Sequence, residues 1–332
     1  MQRRHVLAGL MVFPGLLARR VEAAGLAPSG PLRSRSDNEV IEGFDIDATS
    51  GDALVISHHG VVVRNCRIRH VVGHGVHAQD SAGLVLQDLE IIRDVRPKVR
   101  NGHYNNVQLS HCPGSLLSRV RASSGSSNIY IEDSQDCRVR EVELYDARGP
   151  YPRGQNVQFN QSLRCVLEDF SAENGPTSWT EDNVSVFCSD QCVVRRGLVS
   201  YNNSPTGDGV MLEGSSDCLV QDVDANLQGN GAFAAVPVDD FGSGGCVFLR
   251  CRTRASYNAP RDGRPAPTSN GLSFYMQSSP GARKHTIADC HYDHVANRNN
   301  LIWDTGSVNR GWSLTPEAFR VREPIRLNFP WS

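Results

Sequence analysis

Two aspartates in this 332-residue chain are placed to do acid–base chemistry together. Asp182 stands just before Asn183-Val184-Ser185-Val186, and Asp208 just before Gly209-Val210-Met211-Leu212. The two stretches are one phrase: Asn or Gly, an apolar residue, any residue, an apolar residue. If each copy is a strand and the copies stack, the carboxyls lie about 4.8 Å apart. Like charges that close resist ionising together, so at least one pKa should rise. Such a pair can set a proton donor beside a base, or pocket a cation, with calcium the ion that suits carboxylates. A plain turn role competes, because Asp before Asn or Gly also forms turns.

The elements that must position the pair are legible as a repeat. The phrase also begins at Gly75, Asn106, Asn128, Asn156, Gly271 and Asn300, with weaker copies at Ala53 and Gly231. Successive starts are 22 to 40 residues apart. Periods of that size mean a solenoid, and apolar residues at every second position mean strand. Each repeat has room for two further strands. The second carries Val139, Val166, Val193 and Leu219. The third has a core column of Cys66, Leu89, Val120, Val142, Phe170, Leu198, Val223, Cys251 and Cys290. Asn or Asp often precedes it (Asn65, Asp88, Asp169, Asp222, Asp289), as suits a corner. Three strands per turn over about ten turns predict an all-β, right-handed parallel β-helix with three parallel sheets, about 50 Å long. Each coil needs its neighbour, so residues 53–304 should form one β-helix.

The ends should differ. Arg3-Arg4 followed by the apolar run Val6 to Ala18 reads as a twin-arginine-like export signal over residues 1–23, too short to span a bilayer. Export to the periplasm or the medium is the expected location. Residues 24–52 are expected to cover the first coil, and 305–332 to form a C-terminal cap or tail. Thr315-Pro316-Glu317 has the form of a helix start. Loss of residues 1–23 would remove four Arg and one Glu, leaving 30 basic and 35 acidic residues, a net charge of −5. That surface argues against a nucleic-acid partner. The oligomeric state is left open.

Ten cysteines in an exported chain would ordinarily mean disulfides. Here Cys137, Cys165, Cys192 and Cys218 each lie nine residues after a repeat start. They should therefore form a column of packed, reduced thiols. No spacing suits zinc.

Outward positions of the first strand supply a second set of candidates. Tyr130, Glu132, Gln158, Asn160, Phe187, Glu213 and Tyr275 fall on one face, with Asn230 in the column of the two aspartates. Amides, carboxylates and rings in a row suit a sugar chain, whose hydroxyls need directional partners. A solvated sheet face would also be polar.

At Asp182 and Asp208 the sequence resembles a family. Thr180-Glu181-Asp182-Asn183-Val184-Ser185-Val186 resembles the Asn-Thr-Asp-Gly strand of polygalacturonases. Thr206-Gly207-Asp208-Gly209-Val210-Met211-Leu212 is similar to their Asp-Asp strand on the next coil, and Gly229-Asn230-Gly231 resembles the Gly-His-Gly of the coil after. The three share one column in one order. The resemblance implies a pectin-lyase-like β-helix over nearly the whole chain after residue 23, with its site near coils six to eight. It would put the family's proton-donor Asp on Gly207 and its His on Asn230. Its Arg-x-Lys strand has no counterpart around Gly271-Leu272-Ser273-Phe274. Inverting hydrolysis needs an acid and a base across the bond. Asp182 and Asp208 are left to hold the water, and the acid is sought at Asp239 and Asp240 on the loop from Val236 to Gly245, then at Glu213.

These residues support a polysaccharide-cleaving enzyme, a hydrolase or a lyase, with no required cofactor beyond an optional calcium ion. A lyase needs a base and a partner for the uronate carboxylate, and Arg153, three residues before Asn156, could be either. A non-catalytic β-helix that binds a glycan or an envelope polymer fits the same residues.

Overall fold

The computed structural model describes residues 25–95, 102–149, 154–175, 178, 180–202, 204, 206–255 and 270–331. The proposed export signal and Arg153 lie outside them. The chain is a parallel β-solenoid of about ten turns, with essentially no helix among the described residues.

The repeated phrase builds an 11-stranded parallel sheet. Its strands include Val76–Gln79, Val107–Ser110, Ile129–Glu132, Val157–Asn160, Val184–Phe187, Asp208–Glu213, Gly231–Val236 and Leu272–Met276. Register is strict: Tyr130 pairs with Gln158, Gln158 with Ser185, Ser185 with Met211. The apolar residues alternate inward into a core with almost no exposure.

The second and third strands of each coil are two legs of one longer strand, such as Val166–Glu173 and Val193–Asn202. Their ladder skips one residue per coil, so they join in a single bent sheet of 15 strands beside the flat one. The skipped corner residues are Asn65, Asp88, Arg119, Glu141, Asp169, Arg196, Asp222, Arg250 and Asp289, all at φ between 50° and 55°. Left-handed backbone costs a non-glycine residue about 1 kcal/mol. The corners recover part of this by pairing from coil to coil: Arg119 with Asp88, Arg196 with Asp169, Arg250 with Asp222.

Inside the corners of the flat sheet, buried polar columns run along the axis. Asn106, Asn128, Asn156 and Asn183 form an amide ladder, each Nδ2 donating to the next Oδ1 at 2.6–3.1 Å. The Cys137, Cys165, Cys192 and Cys218 column is present and continues to Cys246. Each thiol donates to a carbonyl oxygen of the coil before. All ten cysteines are free and buried.

Four expectations need correction. Gly197, not Leu198, occupies the third-strand column, paired with Phe170 and Val223. A Cβ there would fall 2.0 Å from the Phe170 ring, which fills the place of a side chain. In the last coil Ile302 faces the core and Trp303 faces out, 48% exposed, one residue out of step with the phrase. Residues 27–48 are not a separate cover: their strands already pair into both sheets. Thr315 and Pro316 start no helix. Leu314–Pro316 is a strand paired with Cys290–Asp293, because Leu314 continues the buried column and sheet bonds replace a cap. Beyond it the chain turns back along the bent sheet, away from the flat one.

Candidate active site

The outer face of the flat sheet carries a cleft of about 840 Å³. Outward positions of the repeat form its floor: Gln108, Tyr130, Gln158, Ser185 and Phe187. Glu132, Asn160 and Glu213 stand at the strand ends, and His74, Asn105, Ser127, Gln155, Glu181 and Asp182 at the strand starts. His103 also lines it.

A directional relay crosses the floor. Ser127 N–H donates to Asn105 Oδ1, Asn105 Nδ2 to Gln108 Oε1, and Gln108 Nε2 to Ser110 Oγ. Ser110 Oγ donates to Glu132 Oε2 at 3.3 Å. Glu132 Oε1 accepts from Asn160 Nδ2 at 3.2 Å and from Tyr130 Oη at 3.4 Å.

The strand-start column has a function that its composition did not disclose. Its side chains accept the backbone N–H of the same position one coil on. Asp52 Oδ1 takes His74 N–H, His74 Nδ1 takes Asn105 N–H, Ser127 Oγ takes Gln155 N–H, and Asp182 Oδ1 takes Asp208 N–H at 2.7 Å. The two aspartates are therefore neighbours on successive coils, as their spacing required. Their carboxyls lean toward the following coil, over glycines. A Cβ on Gly207 would meet the Glu181 carbonyl oxygen at 1.9 Å and Asp182 Oδ1 at 2.8 Å, and one on Gly231 would meet Asp208 Oδ1 at 2.2 Å. This is why glycine stands at 207, where the polygalacturonase resemblance would put an acid.

The pair divides at the cleft. Asp182 lines it at 3% exposure, while Asp208 is sealed at 0% and does not reach it. Burial raises the Asp182 carboxyl well above the usual carboxylate range. The charge of Glu181 adds to this, the Asp208 N–H opposes it, and Asp208 and Glu213 add further. Burial pushes Asp208 up to about 8, with Glu213 contributing. Asp208 Oδ2 is buried with no hydrogen-bond partner, and Oδ1 has a 3.4 Å contact from Asn230 Nδ2. Glu213 is itself raised, by burial and then by Asp239.

A calcium ion wants six to eight oxygens. Asp182 spends one oxygen on a backbone N–H and Asp208 is sealed from the cleft. Among the described residues no group of three His, Cys, Asp or Glu side chains is disposed to hold a metal ion.

Tyr130, Glu132, Gln158, Asn160, Phe187, Glu213 and Asp182 thus share one cleft. Asp239 and Asp240 are exposed on a tight turn closed by the Val238–Phe241 bridge. They do not line the cleft, although the Asp239 charge reaches Glu213. Asn230 is buried behind Asp208. Tyr275 lies beyond the cleft toward the last coil, edge to face with Trp303 at 6.2 Å. His74, His103 and Glu181 were missed as site residues. His103 sits outside the phrase, where no periodicity marks it.

The fold is a parallel β-helix, and solved structures of low sequence identity share it. Among solved structures the chain is similar to an alginate lyase of Paenibacillus sp. strain FPU-7, with TM-score 0.54 and 12% identity, over 80% of this chain and 92% of that one. It is similar at the same TM-score to the Dettilon tailspike protein, at 10% identity, over 88% of this chain and 60% of that one. No family model matches the sequence, and no curated protein does. Among the described residues no helix is long and apolar enough to cross a membrane.

Proposed function

We propose that this is an exported carbohydrate-active β-helix protein that cleaves a polysaccharide lying in the cleft of the flat sheet. The observation that carries the reading is the cleft itself. It joins an amide-rich floor to a buried Asp182, whose carboxyl burial holds well above the usual carboxylate range. Asp182 Oδ1 is fixed by the Asp208 N–H, so the proton resides on Oδ2. Asp182 is then the general acid toward the leaving glycosidic oxygen, and Glu213 the base that activates water. Inverting hydrolysis requires one carboxyl to carry the proton and the other to be ionised, and the proton is assigned to Asp182, the more deeply buried of the two. Phe187 and Tyr130 offer ring faces to the sugar, Gln158 and Asn160 its hydrogen bonds. Asp208 supports Asp182 from behind. The similarity to an alginate lyase keeps elimination as the competing chemistry, for which Arg153 is the candidate partner of a uronate carboxylate.

A second reading has its own support. The Asp182 bond to Asp208 N–H belongs to a column that Asn, Ser and His also serve, so a cleft that only binds glycan would look the same. The deciding experiment incubates the protein with neutral and acidic polysaccharides, with and without calcium. Reducing ends and the ultraviolet absorbance of unsaturated uronates are followed. Reducing ends without that absorbance are expected. Absorbance would establish elimination, and binding without cleavage would establish the second reading.

A further inference from the structure

His74 stands at the N-terminal end of the cleft, half-buried, and its ring has two faces of work. Its Nδ1 accepts the Asn105 N–H at 3.0 Å, and its own backbone N–H goes to Asp52 Oδ1 at 2.7 Å. A ring nitrogen that accepts carries no proton, so the neutral ring holds its proton on Nε2. Behind it the His77 ring packs at 5.0 Å, and Asp52 Oδ2 bonds His77 Nδ1 at 2.7 Å. The imidazole is thereby fixed in place and in tautomer. Burial keeps it neutral, lowering its pKa to about 4.

The polar groups beside it are already engaged. Asn105 gives Oδ1 to Ser127 and Nδ2 to Gln108, and Gln108 gives Nε2 to Ser110. His74 lines the cleft with its Nδ1 and backbone N–H both spent, which leaves its Nε2–H as the donor it can offer an occupant. An N–H of that kind, in a cleft of this size, is built for an acceptor oxygen on the occupant.

We propose that His74 is a substrate-binding residue whose Nε2–H donates to an oxygen of the sugar unit seated at the N-terminal end of the cleft. The oxygen is a hydroxyl or a uronate carboxylate oxygen, both of which accept. This inference rests on the glycan reading above. The occupant would extend from the Asp182 and Glu213 region across Gln158 and Tyr130 toward His74, four coil steps from Asp182 and five from Glu213, or ~19–24 Å of sheet.

The test uses His74→Asn on the full chain. Asn serves this column at positions 105 and 230, and its Oδ1 can accept the Asn105 N–H. It stops short of the place that Nε2 occupies. Melting temperature should hold, and calorimetric affinity for oligosaccharides of the best polysaccharide should fall about tenfold, the scale of one well-made hydrogen bond. Unchanged affinity with unchanged melting temperature overturns the proposal and leaves His74 a backbone acceptor only. Should the variant be destabilised, ¹⁵N-histidine spectra of the wild type decide: saturating oligosaccharide must move the His74 Nε2–H resonance, and an unmoved resonance overturns the proposal. For an acidic polysaccharide, oligosaccharides with reduced carboxyls separate the two oxygens. Lost binding assigns the carboxylate and retained binding the hydroxyl. A wild-type chain that binds no member of the panel sinks the glycan reading itself, a result visible without the variant.

Discussion

At Asp182 one carboxyl meets two demands, a backbone N–H on one oxygen and the cleft on the other. Asn satisfies the first and not the second. Asp182→Asn should keep the melting temperature and lower the cleavage rate at least about 100-fold, the scale for a positioned acid–base group. An equal loss of melting temperature and rate would mean that the carboxyl is structural. Asp208 makes a different prediction. Its folded pKa of about 8 lies above its ordinary 3.8, so the folded state holds a proton that the unfolded chain releases. Its stabilising contribution is complete below about pH 4 and is lost as pH rises toward 8. The wild-type melting temperature should fall across that window, and Asp208→Asn should flatten the fall. A profile identical to wild type would show that Asp208 does not titrate there. The spacing of the phrase was enough to place these two residues side by side. It was not enough to show that one of them is sealed, because sealing depends on Asn230, Gly231 and the coil beyond.

At the scale of the element, stability resides in columns, and columns share partners. Asn156 Oδ1 takes Asn128 Nδ2 at 2.6 Å, while its own Nδ2 reaches Asn174 and Asn183 at 3.1 Å. Asn156→Leu leaves polar atoms on both sides without their bond in a site with no water access. It should lower the free energy of unfolding by about 2 kcal/mol or more, read from urea denaturation. A loss below half of that would mean that the ladder reorganises around the gap. The thiol column predicts silence: Cys137, Cys165, Cys192, Cys218 and Cys246 should resist alkylation in the folded chain and all react after unfolding without reductant. A disulfide at any of them would contradict the packing. Both ladders were readable, since strand alternation is a local pattern and the repeat places like with like. The misreadings arose where a neighbour decides. Phe170 displaces any side chain at Gly197. Thr315-Pro316 has the same residues whether it opens a helix or closes a sheet, and only the exposed edge at Cys290–Asp293 selects the strand. Trp303 turned outward because Ile302, paired with Phe274, claims the core.

At the scale of the whole molecule, the C-terminal segment is a strap. After Leu314–Pro316 it runs back across the bent sheet toward earlier coils. Phe319 meets Arg252 at 4.6 Å, Arg322 N–H donates to Asp224 at 2.6 Å, and Ser171 Oγ donates to Ile325 O at 3.3 Å. Leu327 N–H then donates to Glu143 Oε2 at 2.8 Å, and Phe329 packs under Arg121. Leu327 and Phe329 are 4% and 5% exposed, so the strap buries apolar surface as well as ion pairs. It covers Glu143, a carboxylate that burial alone would raise. The Tyr145 hydroxyl, the Leu327 N–H and Arg121 outweigh that and hold it below its ordinary 4.5. A depressed folded pKa stabilises above the unfolded value and is lost as pH falls, so the strap should loosen in acid. A chain ending at Pro316 should keep its β spectrum and its cleavage rate at low temperature, because the cleft lies on the other sheet. It should melt lower, by an amount that is larger at pH 7 than at pH 4. Leu327→Asp in the full chain should move the melting temperature the same way, through a buried charge set against Glu143. Equal melting curves for the full and shortened chains would show that the coils alone carry the stability. A lost cleavage rate at unchanged melting temperature would show instead that the strap acts on the cleft through the coils.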